Sequence, residues 1–497
     1  MAMSPAARNA ARAPLWGAIV AAVVVLAHIP SFVHRLLDGD EAIYASIAAL
    51  MNTGRALYAD GGVDNKPPGI FWVYAATFHV AGPYEMTAIH AVGLLAMAAT
   101  CVILFMIGRA LAGVRAGLLS ALIYGVLTGA GNPRLLASNT ELFMMLPLSA
   151  SVLLMLRRRW LLSGALLAAA GGFKQVAAIN LLLVPVAAIL LEPAGRRLRA
   201  SGTFAGGLTA GLLAGALLLA LTGSLAGFWN WTVGSLYSYA STNWTPEMLW
   251  LRSRDSIAPF VGSMVAVWVA AIAHAWRWKR LPPKEQLVAA WLVVSMLGSL
   301  AGGHLSWHYF IQVMGPLALL AAFAIDKALS TSKKRLVAGA AILGLSAPLV
   351  GWVAFDLVAD PLTYDFRAPV PQHQAVAGYI RDHTRADDRV FVWGDWPALY
   401  VESDRLMASR FPGFLRGFAR GSGLPPNNWD TTAEVWPELQ ADLKRNPPAL
   451  IVDTAPADWS DFSLYPMSNY PALADFITGG YHAVATIDRV VIYARNG

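Results

Sequence analysis

Charge is what this 497-residue chain has least of: 13% of its residues are Asp, Glu, Lys or Arg, while 57% are hydrophobic. An average soluble domain is charged at roughly a quarter of its positions. That scarcity excludes an ordinary soluble domain and leaves the membrane class. Cysteine is almost absent as well. The single Cys101 lies inside an apolar run, which excludes an intramolecular disulfide and a cysteine metal site. No nucleotide-binding pattern accompanies the acidic residues. The net charge of +7 comes from short basic clusters between apolar runs, not from a continuous stripe. Such a distribution marks membrane topology, not a nucleic-acid surface.

Apolar length is what the chain has in abundance. A helix needs about 17–25 residues to cross a ~30 Å hydrocarbon core. Candidate runs are 15–33, 86–107, 116–130, 141–156, 160–173, 176–191, 203–222, 257–275, 286–301, 308–325 and 336–355. They predict a polytopic α-helical membrane protein with about 11 transmembrane helices. The first run follows basic residues, is too long for a signal-peptide core and has no small-residue cleavage site, so it reads as an uncleaved span. With the N-terminus cytoplasmic, Arg109 and Arg115, residues 157–159, Arg196 to Arg199, residues 277–280 and residues 333–335 all fall on the inner side. That agreement follows the positive-inside rule. The stretches 41–51 and 67–82 then read as interfacial helices in a first outer loop, residues 34–85. From about residue 360, short β-rich runs such as 389–393, 449–453 and 489–494 alternate with amphipathic stretches. The expected division is a transmembrane domain over 1–358 and an extracytoplasmic soluble α/β domain over 359–497.

With this topology the unusual polar motifs collect on the outer face. In "DGDE" (38–41), Asp38 and Glu41 fit a capping box, and Asp40 falls in the first helical turn, where the dipole favours a carboxylate. Asp40 therefore reads as a candidate general base; Asp38 and Asp40 are the candidate ligands should a divalent metal bind. "NKPPG" presents Lys66 from a rigid extended turn, either as a snorkelling lysine or as an anion-binding charge. Arg134 and Lys174 are further outer cations beside apolar spans, and with Lys66 they could hold a phosphate at the membrane surface. His304 and His308 lie at i, i+4, a spacing for a helix face that binds a metal or, with no nearby acid, hydrogen-bonds a phosphate or sugar. Trp244 belongs to an aromatic loop (228–255) suited to stacking on sugars or to an interfacial belt.

The order of these motifs is similar to that of a known family. "DEAIYA" (40–45), Tyr58 with Asp60, and "DNKPPGIFWVYA" (64–75) resemble the first outer loop of bacterial family-39 glycosyltransferases. These are enzymes of the GT-C type, related to protein O-mannosyltransferases and to the aminoarabinose transferase acting on lipid A. "SNTELF", "FKQ" and "HYFIQVMGPLALL" resemble later landmarks, and the stretch from Arg389 resembles the extracytoplasmic tail. The resemblance implies a GT-C fold and sugar transfer from a polyprenyl-phosphate donor to an acceptor outside the cytoplasmic membrane. It implies Asp40 as the acidic base of the Asp-Glu motif, with Glu41 as the motif's second acid, and Lys66 as a donor-phosphate contact; Arg134, Lys174 and His308 are the further candidate phosphate ligands read from the residues themselves. It places Glu141 at the acid of a second outer loop; Tyr58, Asp60, Glu141, His304 and Trp244 are candidate acceptor- or sugar-binding residues. Ile43 stands where the aminoarabinose branch often carries arginine, which leaves the acceptor open among lipid, glycan and protein.

The expected protein is thus an inverting glycosyltransferase of the bacterial inner membrane, with no certain cofactor and no nucleic-acid partner. Its alternative is a transporter or flippase for an envelope lipid or glycan. Transport sites favour ionisable groups or broken helices at the midplane, whereas the polar motifs here sit at one face.

Overall fold

The computed structural model describes residues 5–129, 132–234, 246–301, 303–331, 334–362, 372–413 and 435–497. Helices come first: α1 (Pro5–Ala27), α2 (Gly39–Met51), α3 (Gly69–Ala81), α4 (Met86–Ala112), α5 (Val114–Gly129), α6 (Pro133–Leu136), α7 (Thr140–Leu156), α8 (Trp160–Gly171), α9 (Leu183–Leu191) and α10 (Arg197–Leu221). Later helices include Pro283–Leu300, Ile311–Leu329 and Lys334–Asp356. In lipid no water pairs with backbone N–H and C=O groups, so long apolar sequence satisfies them internally as helix. The chain divides into two compact, sequence-discontinuous units. One comprises Met1–His34, His90–Gly215 and Pro246–Ala359; the other comprises Arg35–Ile89, Ala216–Thr245 and Asp360–Gly497.

The first unit is a helical bundle. Among the described residues, four helices are long and apolar enough to cross a membrane: Met86–Ala112, Ala194–Leu221, Trp307–Leu329 and Leu336–Asp356. A bent pair, Leu249–Ser263 with Val265–Ala275 at 77°, makes a fifth if counted as one span. The other apolar helices are shorter, and the "GGFKQ" break divides one run into α8, a 3₁₀ stretch (Gln175–Leu182) and α9. Leu198, Leu213 and Leu343 point outward, fully at odds with water and well suited to lipid. Inside, α8 and α10 cross backbone to backbone. A Cβ on Gly164 would stand 2.0 Å from the Phe204 carbonyl oxygen, and one on Gly207 1.8 Å from that of Leu161. Small residues permit this approach where no hydrophobic effect drives helices together. Ser151 of α7 and Ser163 of α8 add reciprocal bonds, each hydroxyl donating to the other's carbonyl at 2.8 and 2.9 Å.

Among the described residues, the second unit is built on a five-stranded mixed sheet. Its strands are β1 (Arg389–Trp393), β2 (Leu406–Met407), β3 (Leu450–Asp453), β4 (Tyr481–Ile487) and β5 (Val490–Arg495), in the order β2-β1-β3-β5-β4. β2, β1 and β3 run parallel, which requires crossovers; helices Ala398–Ser403 and Trp436–Arg445 lie in them. β4 and β5 form an antiparallel hairpin whose turn residues, Asp488 and Arg489, both take positive φ. That is the backbone of the tight two-residue turn that matches strand twist. Phe391, Trp393, Ile451, Phe462 and Tyr470 make the core. Val63 of the 35–89 segment belongs to the same core, and its N–H donates to the Arg410 carbonyl at 3.1 Å. Within this unit α2 packs on α3 and on helix Ala398–Ser403, with Glu41 to Leu50 buried except for Ile43.

Candidate functional site

In the second unit the acidic motif is divided between capping and exposure. Asp38 is the N-cap of α2, and its side chain accepts the Asp40 N–H at 3.5 Å. Glu41 reaches back to accept the Leu37 N–H at 2.8 Å. The reciprocal cap that Asp-x-x-Glu encodes is therefore made, one residue further back than the usual box. Asp40, half-buried in the first turn, accepts the Tyr44 hydroxyl at 3.2 Å, a bond between neighbours on one helix face.

Lys66 is fixed through its backbone. Asp64 accepts its N–H at 2.8 Å, the Tyr58 hydroxyl donates to its carbonyl at 2.6 Å, and Thr232 Oγ1 donates to the same oxygen at 3.3 Å. Tyr58 is itself constrained, with φ 61°, and a Cβ on Gly227 would lie 2.2 Å from its carbonyl oxygen. Burial pushes the Tyr58 phenol well above its usual range, so it remains a donor. Lys66 Nζ stands 3.5 Å from Asp64 and 6.0 Å from the Tyr44 ring centre. Burial pushes the Asp64 carboxyl up, against the pull of Lys66, and the Asp40 charge adds to the rise. Asp60 closes a turn by accepting the Ala56 N–H at 3.2 Å and lies 3.9 Å from Arg445.

In the first unit Glu141, in the opening turn of α7, is fully buried and pairs with Lys174 Nζ. Thr140 Oγ1 donates to its other oxygen at 2.8 Å, and His308 Nε2 is 3.9 Å away. Lys174 Nζ also sits 3.6 Å from the centre of the Tyr309 ring, a cation–π contact. Lys174 and His308, expected on the donor phosphate, thus converge on a carboxylate. Arg134 opens α6, where its N–H caps onto Asn132 at 3.0 Å.

His304 and His308 do not share a helix face. His308 lies in the 3₁₀ turn Trp307–Phe310, but His304 precedes it in a loop where Gly303 and Leu305 take φ of 67° and 52°. Those left-handed residues break the periodicity on which the i, i+4 expectation rested. Trp244 lies outside the described residues. Reading motifs one at a time missed Tyr44, Asp64, Thr232 and Tyr309. Tyr44 was detectable four residues after Asp40, and Asp64 two before Lys66; Thr232 carries no local signal.

The same architecture occurs in ArnT from Cupriavidus metallidurans bound to undecaprenyl phosphate, which is 16% identical, with a TM-score of 0.65 over 96% of this chain and 98% of that one. This is the GT-C fold. The oligosaccharyltransferase of Archaeoglobus fulgidus, solved with zinc and sulfate, shares the GT-C fold at 13% identity and a TM-score of 0.58, over 96% of this chain and 72% of that one. The archaeal oligosaccharyltransferase AglB from the same organism, with an inhibitory peptide and a dolichol-phosphate, gives 11% identity and a TM-score of 0.52 over 96% and 74%. Residues 65–220 match the family described as dolichyl-phosphate-mannose-protein mannosyltransferase. That segment begins one residue before Lys66 and includes Arg134, Glu141 and Lys174. No curated protein sequence matches the chain. The GT-C fold expected from the order of the motifs is therefore the one observed, and residues 65–220 carry the match to the mannosyltransferase family.

Proposed function

We propose that the protein is an inverting glycosyltransferase that moves a sugar from a polyprenyl-phosphate donor to an acceptor hydroxyl on a lipid, glycan or protein. The observation that carries this reading is Asp40: a carboxylate at the start of a buried helix, oriented by Tyr44, in the same loop as a backbone-clamped Lys66. Asp40 takes the proton of the acceptor hydroxyl. The hydroxyl oxygen bonds to the anomeric carbon as the bond from that carbon to the phosphate oxygen breaks, which inverts the centre. Lys66 neutralises the charge left on the departing lipid phosphate. General-base help contributes about 10²–10⁴-fold, and holding both reactants in line contributes more.

We place 1–358 in the bilayer as about eleven spans, with 359–497 extracytoplasmic and the site at the outer face of the bacterial inner membrane. Asp38 and Asp40 are oxygen donors of the type a hard divalent cation takes. Within their unit they form only a partial ligand set, and both already accept hydrogen bonds, so no step is drawn through a metal.

The test is sugar transfer in proteoliposomes. Asp40→Asn should lower turnover about 10²–10⁴-fold while the variant melts like the parent; turnover within threefold of the parent sinks the assignment.

A further inference from the structure

We infer that Lys174 and Tyr309 are positioning residues that act through Glu141, and that Lys174 is not a ligand of the donor phosphate. The inference rests on the transfer reading above. Lys174 is aimed by the chain break: it sits in extended conformation (φ −152°, ψ 135°) between α8 and the 3₁₀ stretch Gln175–Leu182. Its side chain is 7% exposed and its partner Glu141 0%. A phosphate that recruited this ammonium would leave a buried carboxylate without its counter-charge, a strongly unfavourable exchange.

Tyr309 supplies the platform under the ammonium, and its backbone is held from two sides. Ser299 Oγ donates to the Tyr309 carbonyl at 2.8 Å, and Gln312 Nε2 donates to the same oxygen at 3.3 Å; both side chains are fully buried. The ring face stabilises a cation that has left water. With Thr140 on the second oxygen of Glu141, the set holds one carboxylate in one orientation. Such a group suits hydrogen bonding to a sugar or acceptor hydroxyl as the transition state forms.

The test separates binding from turnover in the full-length protein, using undecaprenyl phosphate in nanodiscs as the binding probe and lipid-linked sugar as the donor. Lys174→Gln should keep the lipid-phosphate Kd and the donor KM within twofold and lower kcat roughly a hundredfold. Lys174→Arg should recover at least a tenth of parental kcat, and Tyr309→Leu should lower kcat about three- to tenfold at unchanged KM. In a Glu141→Gln background, Lys174→Gln should cost less than about threefold more, because the two act as a unit. Lipid-phosphate binding weakened about tenfold by Lys174→Gln, or losses that multiply in the double variant, overturn the inference. If Lys174→Gln does not fold, Lys174→Arg and Tyr309→Leu carry the same Kd and KM comparison. A parent that transfers no sugar refutes the proposed reaction; the binding comparison still decides the role of Lys174.

Discussion

His373 opens the helix His373–Asp382 with both ring nitrogens engaged: Nδ1 on Glu402 at 2.9 Å and Nε2 on Asp360 at 3.0 Å. Burial alone would lower its pKa and a helix N-terminus disfavours a cation, but the two carboxylates prevail and raise it from 6.5 to about 9. At ~1.4 kcal/mol per pH unit that difference is worth about 3 kcal/mol. The Asp360 side chain is 33% exposed, which screens its share and brings the effective figure nearer ~2 kcal/mol. Because the folded pKa is the higher one, this stability is fully present below pH 6.5 and is lost as the pH rises through about 9. The assay is hydrogen exchange of helices His373–Asp382 and Ala398–Ser403 in the full-length protein, corrected for the intrinsic pH dependence of exchange. Between pH 6.5 and 9.5 the opening free energy of these helices should fall by about 2 kcal/mol relative to the β1–β3 core. His373→Gln should be less protected at pH 6.5 and should lose the pH dependence. An identical pH response in parent and variant would refute the assignment of the charge to His373.

Other perturbations address the site loop. Lys66→Gln should raise the donor KM about tenfold or more, read by steady-state transfer; an unchanged KM would remove Lys66 from the phosphate. Tyr58→Phe frees the Lys66 carbonyl from its shortest bond and should lower kcat/KM several-fold while the fold survives, checked by transfer rate beside thermal melting. Asp442 accepts two Arg410 side-chain bonds and the Arg410 N–H, all at 2.9 Å, so Asp442→Ala leaves the mostly buried guanidinium to its Glu438 pair at 3.2 Å. It should cost about 2–3 kcal/mol locally, the worth of hydrogen bonds to a charged group. Because Val63 hangs on the Arg410 carbonyl, exchange protection of the Lys66 loop should drop with it.

The site was legible in proportion to how local its chemistry is. Asp-x-x-Glu encodes its own cap, and α2 begins at Gly39 where the motif puts it. "RVFVW" and "LIVD" are strands with buried, β-branched runs. β4 was not read in advance because its residues are mostly exposed and its pattern, Tyr481–Ile487, is weak; the hairpin turn and pairing to β5 define it. The pairing of Lys174 with Glu141 joins residues 33 positions apart, across a helix and a chain break, and no motif spacing encodes that distance. The break at "GGFKQ" likewise became a matter of lengths only in the structure: the apolar runs on its two sides fold as the 12-residue α8, a 3₁₀ stretch and the 9-residue α9.

The sequence by itself determined the helical, apolar character of the chain, the start of α2, the strand runs of β1, β3 and β5 and the order of its polar motifs. Those follow from transfer free energy, capping and periodicity, which act over a few residues. Only the tertiary structure decided what each cation does: Lys66 is clamped by its backbone in a loop that shares a core with the sheet, while Lys174 is neutralised against a buried carboxylate. A charge is named by its residue, but its partner is set by which distant segments the packed core brings within a few ångströms.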